Sequence, residues 1–294
     1  MIAIGFHDFS AFSCFTLLLQ PYMRIVLAIL LVGFLQSCSD MSKIMKSGDY
    51  DMKIRKANEY YDAKRYDRAQ LIYEDVMPVI KGSADYEPLY YKWAYCSYYQ
   101  KDYLNAENLF KGFVENFPHS DKAEEAEYMR AYCFYKQSPK PTLDQTPTMK
   151  AITYLQTFAN THPTSPRSKE ALQLIEGLRK KLEVKDYNAA ELYYNMGYYK
   201  ASATAFTELM NNFPDSEKGD EYKLMVIKSW AKYADHSYEY KQAERYEKVL
   251  NECADFVDRF PDSKLVSDVD RIKSQTENSI KSLKDEQTKT SAKR

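Results

Sequence analysis

The chain has 294 residues, with 41 basic and 42 acidic side chains and a formal net charge of −1. That balance lacks the basic footprint of a nucleic-acid binder, so nucleic acid is excluded as a partner. Eight glycines, and no Asn-Gly or Asp-Gly pair between alternating apolar runs, count against tight β-turns and favour an all-helical chain. Aromatics make up 15% of the residues and 27 residues are Tyr, whose apolar ring and polar hydroxyl suit surfaces that bind.

The first informative segment starts at Met23 and reads MRIVLAILLVGFLQSC. Arg24 supplies a positive charge, Ile25 to Phe34 an apolar run, and Leu35-Gln36-Ser37-Cys38 a small-residue cleavage site. The run is shorter than the ~20 residues a membrane-spanning helix needs. The pattern resembles a bacterial lipobox, which makes Cys38 the lipid-attachment site and the mature N-terminus. Acyl chains contribute about 0.8 kcal/mol per buried methylene, so two or three hold a protein on a membrane without spanning it. Residues 1–37 are read as a signal peptide preceded by an over-long start or an atypical extension, with Met1 and Met23 both open as the start. Residues 38–49 read as a lipidated polar tether. By resemblance to bacterial sorting signals, Ser39 after the Cys points to the outer membrane.

From Lys53 onward small residues recur in pairs: Ala57 and Ala69, Ala94 and Ala106, Ala131 and Ala151, Ala190 and Ser202, Ala231 and Ala243. Two antiparallel helices cross closely only at small side chains, so each pair marks a helical hairpin. Pro118, Pro163, Pro214 and Pro261 close four of the five second helices, since proline cannot continue the backbone ladder. The first repeat has Lys81 in that place. The stretch YLNAENLFKGFVENFPHS, Tyr103 to Ser120, follows this pattern without departure. The pattern resembles the tetratricopeptide repeat, a 34-residue helical hairpin with small residues at its eighth and twentieth positions and an aromatic at its twenty-fourth. Tyr73, Phe110 and Phe206 take the aromatic place, Leu155 takes it in the third repeat and Glu247 in the fifth.

The resemblance implies an all-α, right-handed superhelical solenoid of about five such hairpins plus a C-terminal capping helix. Repeats one to three are placed at 50–164, and repeats four and five with the cap at 165–283. Three prolines around Ser138–Pro147 require a loop in the third repeat. The pattern between Pro166 and Gly197 suggests a long first helix in the fourth. Six extra residues before Pro261 lengthen the second helix of the fifth. Leu265, Val269, Ile272, Ile280 and Leu283 give the cap its apolar face. Residues 284–294 are too polar to fold and read as a disordered tail.

Nothing in the sequence supports catalysis or a cofactor. His7, His119, His162 and His236 are scattered, no His, Cys or Glu grouping has metal-ligand spacing, and there is no nucleophile elbow or phosphate loop. The chain is read as no enzyme, without cofactor or metal. Cys96 and Cys133 occupy matching contexts; either a disulfide or two buried thiols fits, and the thiols are favoured because the positions lie a whole repeat apart. Cys253 has no partner on this reading. Tyr91, Tyr95 and Tyr98 fall at one spacing on one first helix, and Tyr128, Tyr132 and Tyr135 repeat it 37 residues on. In the repeat family those positions line the concave groove, and Tyr61 belongs to it in repeat one. Such a stack suits extended peptides with aromatic ends; ordinary solenoid core is the bland alternative.

Lipobox, degenerate repeats and Phe-Pro-x-Ser stops together resemble the BamD family of outer-membrane assembly lipoproteins. The resemblance implies a lipid-anchored, periplasm-facing scaffold that binds the periplasmic domains of the BamA insertase and receives unfolded outer-membrane β-barrel proteins through their aromatic-ended C-termini. The first three repeats would take the client segment and the last repeats the insertase. A different lipid-anchored repeat scaffold of the cell envelope or division apparatus is the alternative. A peptidoglycan-cleaving lipoprotein is a third reading, for which the repeats leave no catalytic domain.

Overall fold

The small residues decide where the helices cross. In the computed structural model, which describes residues 40–291 and side chains as far as 285, Ala57, Ala69, Ala94, Ala106, Ala131, Ala151, Ala190 and Ser202 have no exposed surface. The expected signal peptide and Cys38 lie outside the described residues. Helices α1 (40–46), α2 (Tyr50–Asp62), α3 (Tyr66–Ile80), α4 (Tyr86–Tyr99), α5 (Tyr103–Asn116) and α6 (Ala123–Gln137) are followed by α7 (Thr146–Thr161), α8 (Pro166–Asn195), α9 (Tyr199–Asn212), α10 (Gly219–Asp235), α11 (Glu239–Arg259) and α12 (Val266–Ser291). The described residues are all-α, built from tetratricopeptide-like hairpins: α2 packs on α3, α4 on α5, α8 on α9 and α10 on α11. Tyr73, Phe110, Leu155 and Phe206, the aromatic or branched residues of the second helices, are fully buried.

Each Phe-Pro-x-Ser stop does two jobs. Proline ends the helix, and the Ser hydroxyl then accepts from the backbone two residues on, as Ser120 does from Lys122 N (3.1 Å), Ser216 from Lys218 N (3.2 Å) and Ser263 from Leu265 N (3.1 Å). The same hydroxyls donate to an acid on the hairpin's first helix: Ser120 to Glu87 (2.6 Å), Ser216 to Glu183 and Ser263 to Asp220 (2.6 Å). The stop thus ties the end of one hairpin to its own beginning.

The chain forms two compact units, divided between Lys136 and Gln137. The sequence placed a boundary at 164/165; the division falls instead at the end of α6, just before the insertion of the third repeat. The loop spans 138–145, while Thr146 and Pro147 form the first turn of α7, a place that tolerates proline because its N–H has no helical partner. The loop belongs to the second unit, where Lys181 Nζ of α8 donates to Ser138 Oγ (2.6 Å) and Lys185 Nζ to Leu143 O (2.8 Å). The first hairpin, which lacks the closing proline, ends at Lys81 and turns through Gly82 at φ +88°.

The fifth hairpin corrects the sequence register. Ala231 and Ala243 are only half-buried, and Glu247 is exposed. Counting back from the closing Phe, Val249 and Cys253 stand where Ala106 and Phe110 stand, and both are buried. The extra residues therefore form additional turns at the start of α11, and the small-residue rule misplaced the crossing by counting from the wrong end. Two further expectations change. Residues 40–46, inside the expected tether, are helical, with Ile44 buried. At the other end α12 runs to Ser291, past the expected limit of 283: its Lys, Glu and Gln residues are strong helix formers that extend a helix already started on packed residues. No helix among the described residues is long and apolar enough to cross a membrane.

Candidate functional site

The first helices of the N-terminal unit carry tyrosines whose rings form a continuous ladder. Along α4, Tyr91 lies 4.9 Å from Tyr95 and Tyr95 lies 6.1 Å from Tyr98 between ring centroids. Tyr98 reaches Tyr132 of α6 at 6.3 Å, and Tyr132 stacks with Tyr128 (5.7 Å) and Tyr135 (5.3 Å). Tyr61 of α2 joins through Tyr66 (5.5 Å), which stacks on Tyr99 at 4.5 Å; Tyr99 lies 5.6 Å from Tyr95. The seven tyrosines singled out by spacing thus share one connected set of rings.

They do not share one exposure. Tyr95 is 9% exposed and Tyr128 2%, so both belong to the core. Tyr95 donates to Glu125 Oε1 of α6 (2.8 Å), fastening the second hairpin to the third; burial, with the bonds to Tyr91 and Glu125, raises its ionisation well above the ordinary Tyr range. Tyr61 and Tyr98 are half-buried for another reason. Each sits five residues before the Tyr that opens the next helix and packs against it, 61 with 66 and 98 with 103 at 5.8 Å, and Tyr194 with Tyr199 repeats the pair at 5.5 Å in the C-terminal unit. These rings close hairpin turns. Burial, followed by the neighbouring Tyr132, pushes the Tyr98 hydroxyl up to about 12. Tyr91, Tyr132 and Tyr135 are the partly exposed remainder of the set.

Cations edge the ladder. Lys122 Nζ lies 4.9 Å over the Tyr91 ring, and Lys136 Nζ lies 5.8 Å over Tyr132 and 5.9 Å over Tyr103. Spacing on the first helices alone missed Tyr66, Tyr99, Tyr103 and both lysines. A signal for two of them was present: Tyr66 and Tyr103 each precede the second helix's small residue by three. The arrangement offers flat apolar area, hydroxyls and positive charge, and no group poised for bond chemistry. Among the described residues no cluster of His, Cys, Asp or Glu could hold a metal. Cys96, Cys133 and Cys253 are buried thiols, pushed up to about 12, about 12 and about 11 by burial, so the disulfide alternative for the first two does not apply.

The C-terminal unit interrupts the ladder. The matching positions of α8 hold Tyr187, Glu191 and Tyr194. A pocket of about 670 Å³ opens between α8 and the α9–α10 turn. Its wall is a polar knot in which Tyr222 Oη donates to Glu183 Oε1 (2.7 Å) beside the Ser216 bond, and Arg179 lies 6.0 Å over the Phe213 ring.

A family model described as YfiO, outer membrane lipoprotein, matches residues 51–231, from the start of α2 into α10. The chain belongs to that family. A relative of this outer-membrane lipoprotein family, a putative outer membrane protein assembly factor BamD from Aquifex aeolicus, is 26% identical over 211 residues, 68% of this chain and 67% of the relative. The BamD-family assignment carries an outer-membrane localisation, and the family is one of assembly scaffolds, not of enzymes. A solved structure of the TPR2AB domain of yeast Sti1 in complex with pHSP90 overlaps 78% of this chain and 98% of its own, at 14% identity and a TM-score of 0.34, a likeness too slight to argue from.

Proposed function

We propose that this BamD-family lipoprotein is a periplasm-facing scaffold of the β-barrel assembly machinery, anchored by lipid on Cys38, that binds unfolded outer-membrane proteins and the periplasmic domains of a BamA-type insertase. The observation that carries the client half of this reading is the tyrosine ladder of α2–α6, with Tyr91, Tyr132 and Tyr135 open at its surface. Tyrosine loses little rotamer entropy on binding, and aromatic pairs contribute roughly 0.5–1.5 kcal/mol each beyond area burial. An extended segment ending in an aromatic residue finds stacking partners there, while Lys122 and Lys136 stand near enough to meet a terminal carboxylate. The mechanism is binding and hand-off.

The test replaces Tyr91, Tyr132 and Tyr135 together by Ala and titrates a peptide from the C-terminus of a barrel protein. Affinity is expected to fall at least about tenfold, because three aromatic contacts at the magnitude above exceed 1.4 kcal/mol. A control replaces Tyr193 and Tyr198, exposed in the C-terminal unit, and should leave affinity unchanged. Equal binding by the folded triple variant would return these rings to the core. Pull-down from native membranes tests the insertase half: absence of a barrel insertase would sink it.

A further inference from the structure

Residues 40–46 lie where the sequence reads as a tether, yet they form a helix fastened to the first hairpin. A seven-residue helix does not hold its shape alone in water. Here Ile44 is buried, and Met41 and Met45 pack on the core of α2 and α3. Lys53 of α2, whose side chain is only 4% exposed, donates to the Met45 carbonyl (3.0 Å) and to Asp75 Oδ2 of α3 (2.6 Å). One ammonium thus satisfies the free carbonyl end of α1 and a carboxylate of the hairpin together. The path onward is equally fixed: Ser47 N donates to Ile44 O (3.1 Å), and Asp49 caps α2 by accepting from Met52 N (2.8 Å).

Asp40, the first residue of α1, stands two positions after Cys38. Two extended residues reach about 7 Å at most, close to the ~5–7 Å depth of one headgroup layer. We propose that α1 is a rigid strut that sets the first hairpin directly against the phospholipid surface in a fixed orientation, with the exposed Lys43 and Lys46 facing lipid phosphates. This rests on the reading of Cys38 as acylated. The consequence is positional: the hairpin at the head of the tyrosine ladder is held at the membrane and does not roam on a leash.

The acylated full-length protein in phospholipid nanodiscs carries a fluorophore at Arg55→Cys, an exposed site on α2, and energy transfer to headgroup-labelled lipid reads its distance from the bilayer. The native cysteines 96, 133 and 253 are buried and resist labelling. Inserting about eight Gly-Ser residues between Ser39 and Asp40, which disturbs no packed side chain, should move the label outward by roughly 15 Å. Ile44→Asp and Lys53→Met, which release α1, should move it outward as well. The strut is overturned if the acylated native protein already shows the distance of the insertion variant, or if the insertion leaves the distance unchanged. Mass spectrometry of the mature N-terminus separates the two readings: no acyl mass on Cys38 overturns both the anchor and the strut, whereas acylated protein with a mobile first hairpin overturns the strut alone.

Discussion

One locus in the hairpins is filled in two ways. Lys53 stands four residues before the first helix's small residue and Asp75 six after the second's; they pair at 2.6 Å in the first hairpin. In the fifth hairpin Lys223 stands four residues before the buried Ile227 and Asp255 six after Val249, and Lys223 also bonds Glu252 at 2.5 Å. In the second hairpin those places hold Tyr90 and Gly112: the Tyr90 hydroxyl occupies the space a Cβ on Gly112 would need, and its ring lies 5.4 Å from Trp93 and 6.1 Å from Phe117. A helix crossing can therefore be clamped by a buried ion pair or by an aromatic ring laid over a glycine. The aromatic solution sits in the second hairpin, whose first helix carries Tyr91, Tyr95 and Tyr98; the ionic one sits in the first and fifth hairpins.

The ionic clamp should break hardest. Lys223 is 6% exposed and bonds both Glu252, itself 14% exposed, and Asp255, so Lys223→Ala leaves a largely buried carboxylate with Lys248 alone and should cost about 1–3 kcal/mol in denaturant unfolding. Lys53→Ala should cost less, since its one carboxylate partner, Asp75, is 36% exposed where Glu252 is 14%, and water replaces the lost partner. The clamp also predicts acid sensitivity. Burial pushes the Glu252 carboxyl up, but bonds from Lys223 and Lys248 outweigh it and hold the group below its ordinary 4.5. A depressed carboxylate contributes its full stability above its unfolded value and loses it as the pH falls through the folded one. Stability measured from pH 6 down to pH 3 should therefore decline below about 4.5, and Glu252→Gln, less stable at pH 6, should flatten that part of the decline.

The ladder yields a smaller effect that separates scaffold from surface. Tyr95→Phe removes the hydroxyl bonded to Glu125 and keeps the ring, at a cost of about 1 kcal/mol in stability. Because that ring is buried, peptide affinity should stay at the wild-type value, in contrast to the loss expected at Tyr91, Tyr132 and Tyr135. Equal losses of affinity would mean that the ladder acts as one surface.

The hairpins were legible because crossing helices demand small residues and because Pro ends helices, both local constraints. The fifth register was not, since Val249 and Cys253 are neither small enough nor aromatic enough to signal their positions, while Ala243 mimicked one. The helical character of 40–46 was hidden for another reason: its anchor is Lys53, a charge that sequence patterns assign to solvent. Among the tyrosines, spacing gave the shared face but could not distinguish Tyr128, sealed in the core, from Tyr132 beside it, because burial depends on the neighbouring helix and not on the period of its own.

The turns inside the first, second and fourth hairpins offer the finest comparison. Lys64, Lys101 and Gly197 each stand seven residues after the first helix's small residue, and all three have positive φ: 57°, 64° and 81°. The turn imposes a left-handed residue whatever the side chain, and only glycine adopts it without a steric cost of roughly 1–2 kcal/mol. Gly197 has open space around it, so Gly197→Ala should destabilise by about 1 kcal/mol through backbone strain alone. Lys101→Gly should do the reverse, gaining a few tenths of a kcal/mol once the roughly 0.5–1 kcal/mol entropy cost of glycine is deducted. Opposite signs from two equivalent positions, read by thermal unfolding, would mark the turn as set by backbone geometry. A loss on both substitutions would instead mean that the Lys101 side chain supports the turn of the hairpin bearing the ladder.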